Sequence, residues 1–318
     1  MESKARPNPT RGSRRPTGRP GRLSAATESQ PKSKSGAQRK PSEKNSSPQT
    51  DSVKEAEIIR RERNHRSRRR KDYLACEEPL EIRVRGRSVA VTMRTPGNDD
   101  ELAAGFLFTE AIIHRRTDLT EIVPCRRGQA AHFENTLNVF LARSVEVNFD
   151  QLTRHVFASS SCGLCGKAAV ENIHQHFAPI LSSFAIAAES LLRAPDRLRA
   201  AQQTFAQTGG LHAAAILDGN GSLVVSREDI GRHNAVDKVI GHGLLTESLP
   251  FDRHVLMVSG RASFEIMQKA LAAQIPVVAA VSAPSSLAVE FARESGQTLI
   301  GFLRGNAFNI YSHPERVS

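Results

Sequence analysis

The spacing of apolar positions changes rhythm along this chain. Leu80, Ile82 and Val84 alternate with polar residues, and so do Val89, Val91 and Met93. Gly86-Arg87 separates the two runs, so an antiparallel hairpin is expected. Asn98 then precedes Asp99, Asp100 and Glu101, an acidic first turn that suits a helix N-terminus. That helix is expected to run to about Ile113, with Leu102, Phe106 and Leu107 on its apolar side. Short alternation returns from Ile122 to Val147, as in Leu137, Val139 and Leu141. It predicts more antiparallel strand, followed by a helix opening at Asp150.

In the last third, alternation gives way to unbroken apolar runs. Val255–Val258 ends in Ser259-Gly260-Arg261-Ala262-Ser263, and helical spacing follows to about Ala273. Val277–Val281 ends in Ser282-Ala283-Pro284-Ser285-Ser286 before a second helix to about Glu294. Thr298–Phe302 ends in Leu303-Arg304-Gly305-Asn306. Strand–helix–strand–helix–strand implies parallel strands with right-handed crossovers, covered on both faces. The three loops then leave the carboxyl ends of their strands along one edge, where open α/β sheets bind ligands. Free amides at helix starts, with Arg261 and Arg304, suit a phosphate-bearing ligand. Ser and Pro at these places also serve simply as helix caps.

A further cluster lies just upstream. Thr208-Gly209-Gly210-Leu211-His212 leads into the run Ala213–Leu217. Asp218-Gly219-Asn220-Gly221 is a turn, and Leu223–Val225 is the expected returning strand. The polar stretch Arg227–Lys238 comes next, at a helix opening. It offers Asp229, Arg232 and His233 as candidates for a site wall, unless it is only a solvated helix start.

Charge divides the chain. Of its 318 residues, 44 are Lys or Arg and 33 are Asp or Glu, a net of +11. Residues 1–71 carry +14 and residues 72–318 carry −3, so the folded body is not a basic globule. Residues 1–52 hold no aromatic residue and 7 of the 16 prolines, which predicts disorder. Residues 53–71 could form a short charged helix, so 1–71 is expected to be a disordered basic tail. Such a run can contact RNA, DNA or an acidic partner, or simply be solvated. It has no interleaved aromatic residues to stack bases, so nucleic acid is not the expected partner. Arg14-Arg15 is followed by no apolar region, and no stretch is long and apolar enough to span a membrane. Four cysteines do not make a secreted disulfide scaffold, and a reducing cytoplasm is expected.

Cys162-Gly163-Leu164-Cys165 is the most chemically pointed feature. Ser159, Ser160 and Ser161 precede it, Gly166-Lys167 follow, and helical spacing begins at Ala168. A thiol beside a helix N-terminus ionises more readily and is a better nucleophile. A thioredoxin-like dithiol would belong at the front of a βαβ unit, and none starts here. A structural zinc site needs four ligands, whereas Cys76 and Cys125 are isolated in sequence. A zinc deaminase is echoed by His132-Phe133-Glu134 upstream, but Ser161 stands where that motif has proline. A fourth reading is a sulfur carrier using a cysteine persulfide on an accessible loop, and the plain alternative is an inert pair of small residues.

Taken together, these motifs resemble the formate dehydrogenase accessory sulfurtransferases, the FdhD family. The likeness runs from Glu77-Glu78-Pro79-Leu80 through Thr92–Gly97, Glu101–Leu107, Ser161–Gly166, Thr208–Ala214 and Arg227–Lys238. It continues through Ser259–Ser263 and Ser282–Ala288 to Phe302–Gly305, covering roughly residues 74–317 in order. The resemblance implies an α/β, overall α+β, architecture. An N-terminal β-rich subdomain over 72–149 would precede a cytidine-deaminase-like three-layer body over 150–318. It implies a cytoplasmic carrier that takes sulfur from a cysteine desulfurase. The sulfur passes to the molybdenum or tungsten bis(molybdopterin guanine dinucleotide) cofactor, which then enters the formate dehydrogenase catalytic subunit. The persulfide cysteine would be Cys162, with Cys165 its neighbour. The cofactor would be held by Phe302, Leu303, Arg304, Gly305, Asn306 and Ala307, with Ser259, Gly260, Arg261 and Ser282 on the adjoining loops. A homodimer is implied, and no zinc. A deaminase-like enzyme or a chaperone that only carries the cofactor are the other possibilities.

Overall fold

The computed structural model describes residues 52–63, 66–125, 135–149 and 176–318. The expected helix at Asp150 and the whole cysteine loop lie outside these residues, as does most of the basic tail.

The first difference from expectation comes at Val53. Val53–Arg61 (β1) and Ser67–Ala75 (β2) are strands, not a helix, and they pair antiparallel from Val53–Ala75 to Arg61–Ser67. As a helix this segment would crowd like charges at three- and four-residue spacing. As a ribbon it sets Lys71 against Glu55 at 2.7 Å and extends β-branched Val53, Ile58 and Ile59. β2 runs across the expected domain boundary at residue 72.

The predicted hairpin follows as Glu78–Val84 (β3) and Arg87–Arg94 (β4). Arg85 and Gly86 both have positive φ, 51° and 78°, as a tight two-residue hairpin turn requires. Leu119–Pro124 (β5) and Thr136–Leu141 (β6) complete a four-stranded sheet in the order β4-β3-β6-β5. Asp99–Thr109 (α1) covers it and stops short of Ile113. Ala111 adopts φ 56°, and the Ile112 amide donates to the Leu107 carbonyl at 2.9 Å, closing the helix end.

The second half is built on a six-stranded sheet. Its strands are His212–Leu217 (β7), Leu223–Asp229 (β8), Val255–Val258 (β9), Val277–Ala280 (β10), Thr298–Arg304 (β11) and Ala307–Ser312 (β12). Their order is β12-β11-β10-β9-β7-β8, with β9, β10 and β11 parallel as expected. Arg232–Leu245 (α5), Phe264–Ala272 (α6) and Ser286–Glu294 (α7) supply Val236, Ile240, Ile266, Met267 and Phe291 to one core. Leu256, Val258, Val278 and Ala280 meet them from the sheet. The alternate residues Val255, Met257, Val277 and Ala279 point the other way. There they pack on Leu191 of Ala188–Leu192 (α2) and Leu198 of Ala194–Ala201 (α3). Gln203–Thr208 (α4) then leads to β7. Helices on both faces make the second half three-layered, which is why the central strands β9 and β10 are apolar throughout.

α1 and α5 cross at glycine. A Cβ on Gly105 would overlap the Asp237 carbonyl, and one on Gly241 would overlap the Glu101 carbonyl. Beside this crossing, Lys269 of α6 is buried with its Nζ 2.9 Å from Asp237 Oδ1 and 2.9 Å from Thr109 Oγ1. Burial opposes its charge, but Asp237 and Glu110 outweigh that and raise its pKa. Replacing Lys269 by Met strands the Asp237 carboxylate in the core. Urea unfolding is expected to show a loss of about 3 kcal/mol, largely recovered when Asp237→Leu is added.

Candidate functional site

The parallel strands bring the predicted loops to one edge, and the antiparallel neighbours extend that edge. β7 runs opposite to β9, so His212 at its start lies beside the end of β9. β8 runs opposite to β7, so Asp229 and the opening of α5 arrive at the same edge.

The loops are laced sideways. The Ala213 amide donates to Ser259 Oγ at 2.9 Å, and the Ser259 amide donates to the Ala213 carbonyl at 2.9 Å. The Ser282 amide points at the Gly260 carbonyl at 3.4 Å, and the Phe302 amide donates to the Ser282 carbonyl at 3.1 Å. Ser259, Gly260, Ser282 and Phe302 therefore form one continuous rim, as the sequence reading requires. Ser259 spends its hydroxyl oxygen on this lacing. Arg261 is exposed on the loop after β9.

The third loop is the turn of the β11–β12 hairpin. Arg304, Gly305, Asn306 and Ala307 are exposed there, with Gly305 at φ 59° and open space around it. Phe302 takes φ 53° where the β11–β12 register slips, a costly conformation for an aromatic residue. The Arg304 guanidinium lies over its ring, 5.5 Å from the centroid. Leu303 is a correction: it is fully buried in the core beneath α2 and α3, so its side chain cannot line a site.

Asp229 is a second correction. It is 0 % exposed, and Lys238 Nζ sits 2.7 Å from its carboxylate. The same carboxylate accepts from the amides of Thr95 (3.2 Å) and Gly231 (2.8 Å) and from Asn234 Nδ2 (2.9 Å). It ties β4 to the start of α5 from beneath the wall and does not face a ligand.

Arg232 and His233 do sit at the edge, and the structure adds His212, Ser263 and Glu265 to them. A Cβ on Gly260 would lie 3.2 Å from His212 Nδ1, so glycine permits this approach. His233 Nε2 is 3.2 Å from Ser263 Oγ and 3.8 Å from Glu265 Oε2. Burial, then Arg232, lowers the His212 pKa. Burial, then Arg232 and Lys269, lowers that of His233 to about 4. Arg232 Nε is buried without a hydrogen-bond partner. At His233 the cations Arg232 and Lys269 outweigh the carboxylate of Glu265, and Arg232 Nε is a donor without an acceptor. His212 was not marked as a site residue in the sequence because only the antiparallel β7–β9 pairing brings it here.

His233 makes a pH prediction. Its pKa is about 4 in the folded state against an ordinary 6.5, so on acidification the unfolded chain takes up the proton first. Stability is expected to fall as pH drops from 6.5 towards 4, and His233→Gln is expected to flatten that slope in urea titrations.

The described cysteines differ from what sulfur transfer needs. Cys76 is 2 % exposed, and burial, then Glu78, raises its thiol pKa. Cys125 is half-buried. Cys162, Cys165 and His132 lie outside the described residues. No described helix is long and apolar enough to cross a membrane.

The FdhD/NarQ family model matches residues 75–318, the four-stranded sheet and the whole laced edge included. The chain belongs to the FdhD/NarQ family. Similar members include the sulfur carrier protein FdhD of Streptomyces coelicolor, 51% identical over 255 residues, covering 78% of this chain and 90% of that one. Its namesake from Mycobacterium tuberculosis is 51% identical over 256 residues, covering 78% and 93%. That of Sulfolobus acidocaldarius is 43% identical over 246 residues, covering 77% and 91%. Among solved structures, a Desulfotalea psychrophila protein assigned as a formate dehydrogenase accessory protein shares the fold. Its TM-score is 0.66 at 24% identity, covering 84% of this chain and 99% of that one.

Proposed function

We propose that this FdhD/NarQ member is a cytoplasmic sulfur carrier that matures formate dehydrogenase. The observation that carries this reading is the 51% identity, over 78% of the chain, to relatives named sulfur carrier proteins. Cys162 thiolate attacks the outer sulfur of a cysteine desulfurase persulfide. A new S–S bond forms on Cys162, the donor's S–S bond breaks, and the donor cysteine leaves as thiolate. Cys165, three residues on, either takes the outer sulfur in turn or attacks the inner one. The second route leaves a Cys162–Cys165 disulfide and expels hydrosulfide.

The sulfur acceptor is the substrate, the bis(molybdopterin guanine dinucleotide) cofactor bound for the formate dehydrogenase catalytic subunit. The laced rim fits its phosphates in kind. Arg232 Nε is buried and unpartnered, Arg304 and Arg261 are exposed cations, and the Gly305 turn leaves room for close backbone approach. Arg304 and Phe302 together offer a cationic and aromatic surface for a guanine nucleotide. The homodimer belongs to the same reading. Guanosine diphosphate is the probe for the rim. It is expected to bind, with Arg304→Ala weakening it about tenfold, as loss of a charge-assisted hydrogen bond does. Unchanged affinity in Arg304→Ala would move the cofactor off this rim.

A further inference from the structure

The β1–β2 ribbon is left unused by sulfur transfer. Its outer half concentrates arginine. Ile59 faces Arg69 and Arg61 faces Ser67 on one side, while Ile58 faces Arg70 and Arg60 faces Arg68 on the other. Arg60, Arg61, Arg68, Arg69 and Arg70 are all exposed and make no ion pair among the described residues. The two ribbon ion pairs, Lys54–Glu78 and Lys71–Glu55, lie nearer its base. Like charges set directly opposite, as Arg60 and Arg68 are, destabilise a ribbon, and neither makes an ion pair among the described residues.

We infer that this ribbon is a binding element for duplex DNA, inserted in the major groove. Three features choose that occupant. Cations stand on both faces, whereas a flat acidic protein surface or a membrane would meet only one. A two-stranded ribbon fits a groove about 12 Å wide with phosphates along both walls. The cations are arginines, which grip phosphate oxygens bidentately. The outer half has no described aromatic residue on which unpaired bases could stack, which disfavours single strands. The deep, narrow major groove of duplex RNA excludes a ribbon. The sequence had counted against nucleic acid because the run lacks aromatic residues. That objection applies to stacking and not to a groove.

The test is fluorescence anisotropy of the full chain with a labelled DNA duplex, the matching single strand, the matching RNA duplex and poly-L-glutamate. The DNA duplex is expected to bind tightest, and log affinity is expected to fall with log salt at a slope of about −4.5, for five phosphates neutralised. Arg68→Ser/Arg69→Ser/Arg70→Ser is expected to cut the slope to about −2 and the affinity at least about tenfold. The equivalent triple lysine variant is expected to keep the slope. Arg14→Ser/Arg15→Ser/Arg19→Ser, in the preceding tail, is expected to lose less than the ribbon variant. Equal losses from tail and ribbon, an unchanged slope in the serine variant, or a lost slope in the lysine variant would overturn the proposal. So would equal binding of single strand or RNA duplex, or binding of poly-L-glutamate in place of DNA.

Discussion

Gly105→Ala is expected to destabilise the protein by more than about 4 kcal/mol and to leave little folded chain at 37 °C. The reason is backbone against backbone. The added Cβ would occupy the place of the Asp237 carbonyl, and Gly241 stands in the same relation to Glu101. No side chain can swing aside, so α1 and α5 must separate. That movement opens the core shared by Leu102, Leu107, Val236 and Ile240, and it pulls Asp237 from Lys269. Overpacking usually costs less because flexible side chains absorb it. Gly241→Ala is expected to cost a similar amount, and the double variant less than the two together, since one separation serves both. Urea unfolding of the three variants checks this, and additive losses would mean that the two contacts are independent.

Much of the scaffold around this crossing was legible in the sequence. Unbroken apolar runs announced β9, β10 and β11, because a strand covered on both faces has no polar side to show. Gly86-Arg87 announced the β3–β4 turn, which the structure forms one residue earlier, at Arg85-Gly86. The residues that were misread fail for identifiable reasons. The run of arginines in 53–71 hid a strand, since cross-strand pairing with residues six to twenty-two positions away leaves no local period. Asp229 looked like a site acid because its partner Thr95 comes from a distant segment and Lys238 reaches back to it from within α5. Leu303 sits between two rim residues, and only the sheet's facing sends it into the second core. His212 reaches the rim through an antiparallel pairing that no spacing along the chain encodes.

Cys162→Ala is expected to abolish formate dehydrogenase maturation, leaving activity no higher than in cells without the protein, while the variant folds normally. A persulfide needs sulfur at that position, and serine cannot substitute, because an oxygen nucleophile forms no comparable carrier bond. Cys76→Ala is the matching control. Its thiol is buried beside Glu78 and held protonated, so maturation is expected to be unaffected. Cys165→Ala separates the two routes of release. If Cys165 expels the sulfur, the variant accumulates persulfide on Cys162 and matures little enzyme. A catalytically silent carrier of the cofactor would instead keep maturation intact in Cys162→Ala.

The most direct test of the sulfur-carrier account is intact-protein and peptide mass spectrometry after incubation with a cysteine desulfurase and cysteine. The account predicts a gain of one sulfur atom on the peptide containing Cys162, removed by a thiol reductant and absent in Cys162→Ala. The wild-type protein carrying no added sulfur on either Cys162 or Cys165 would contradict it.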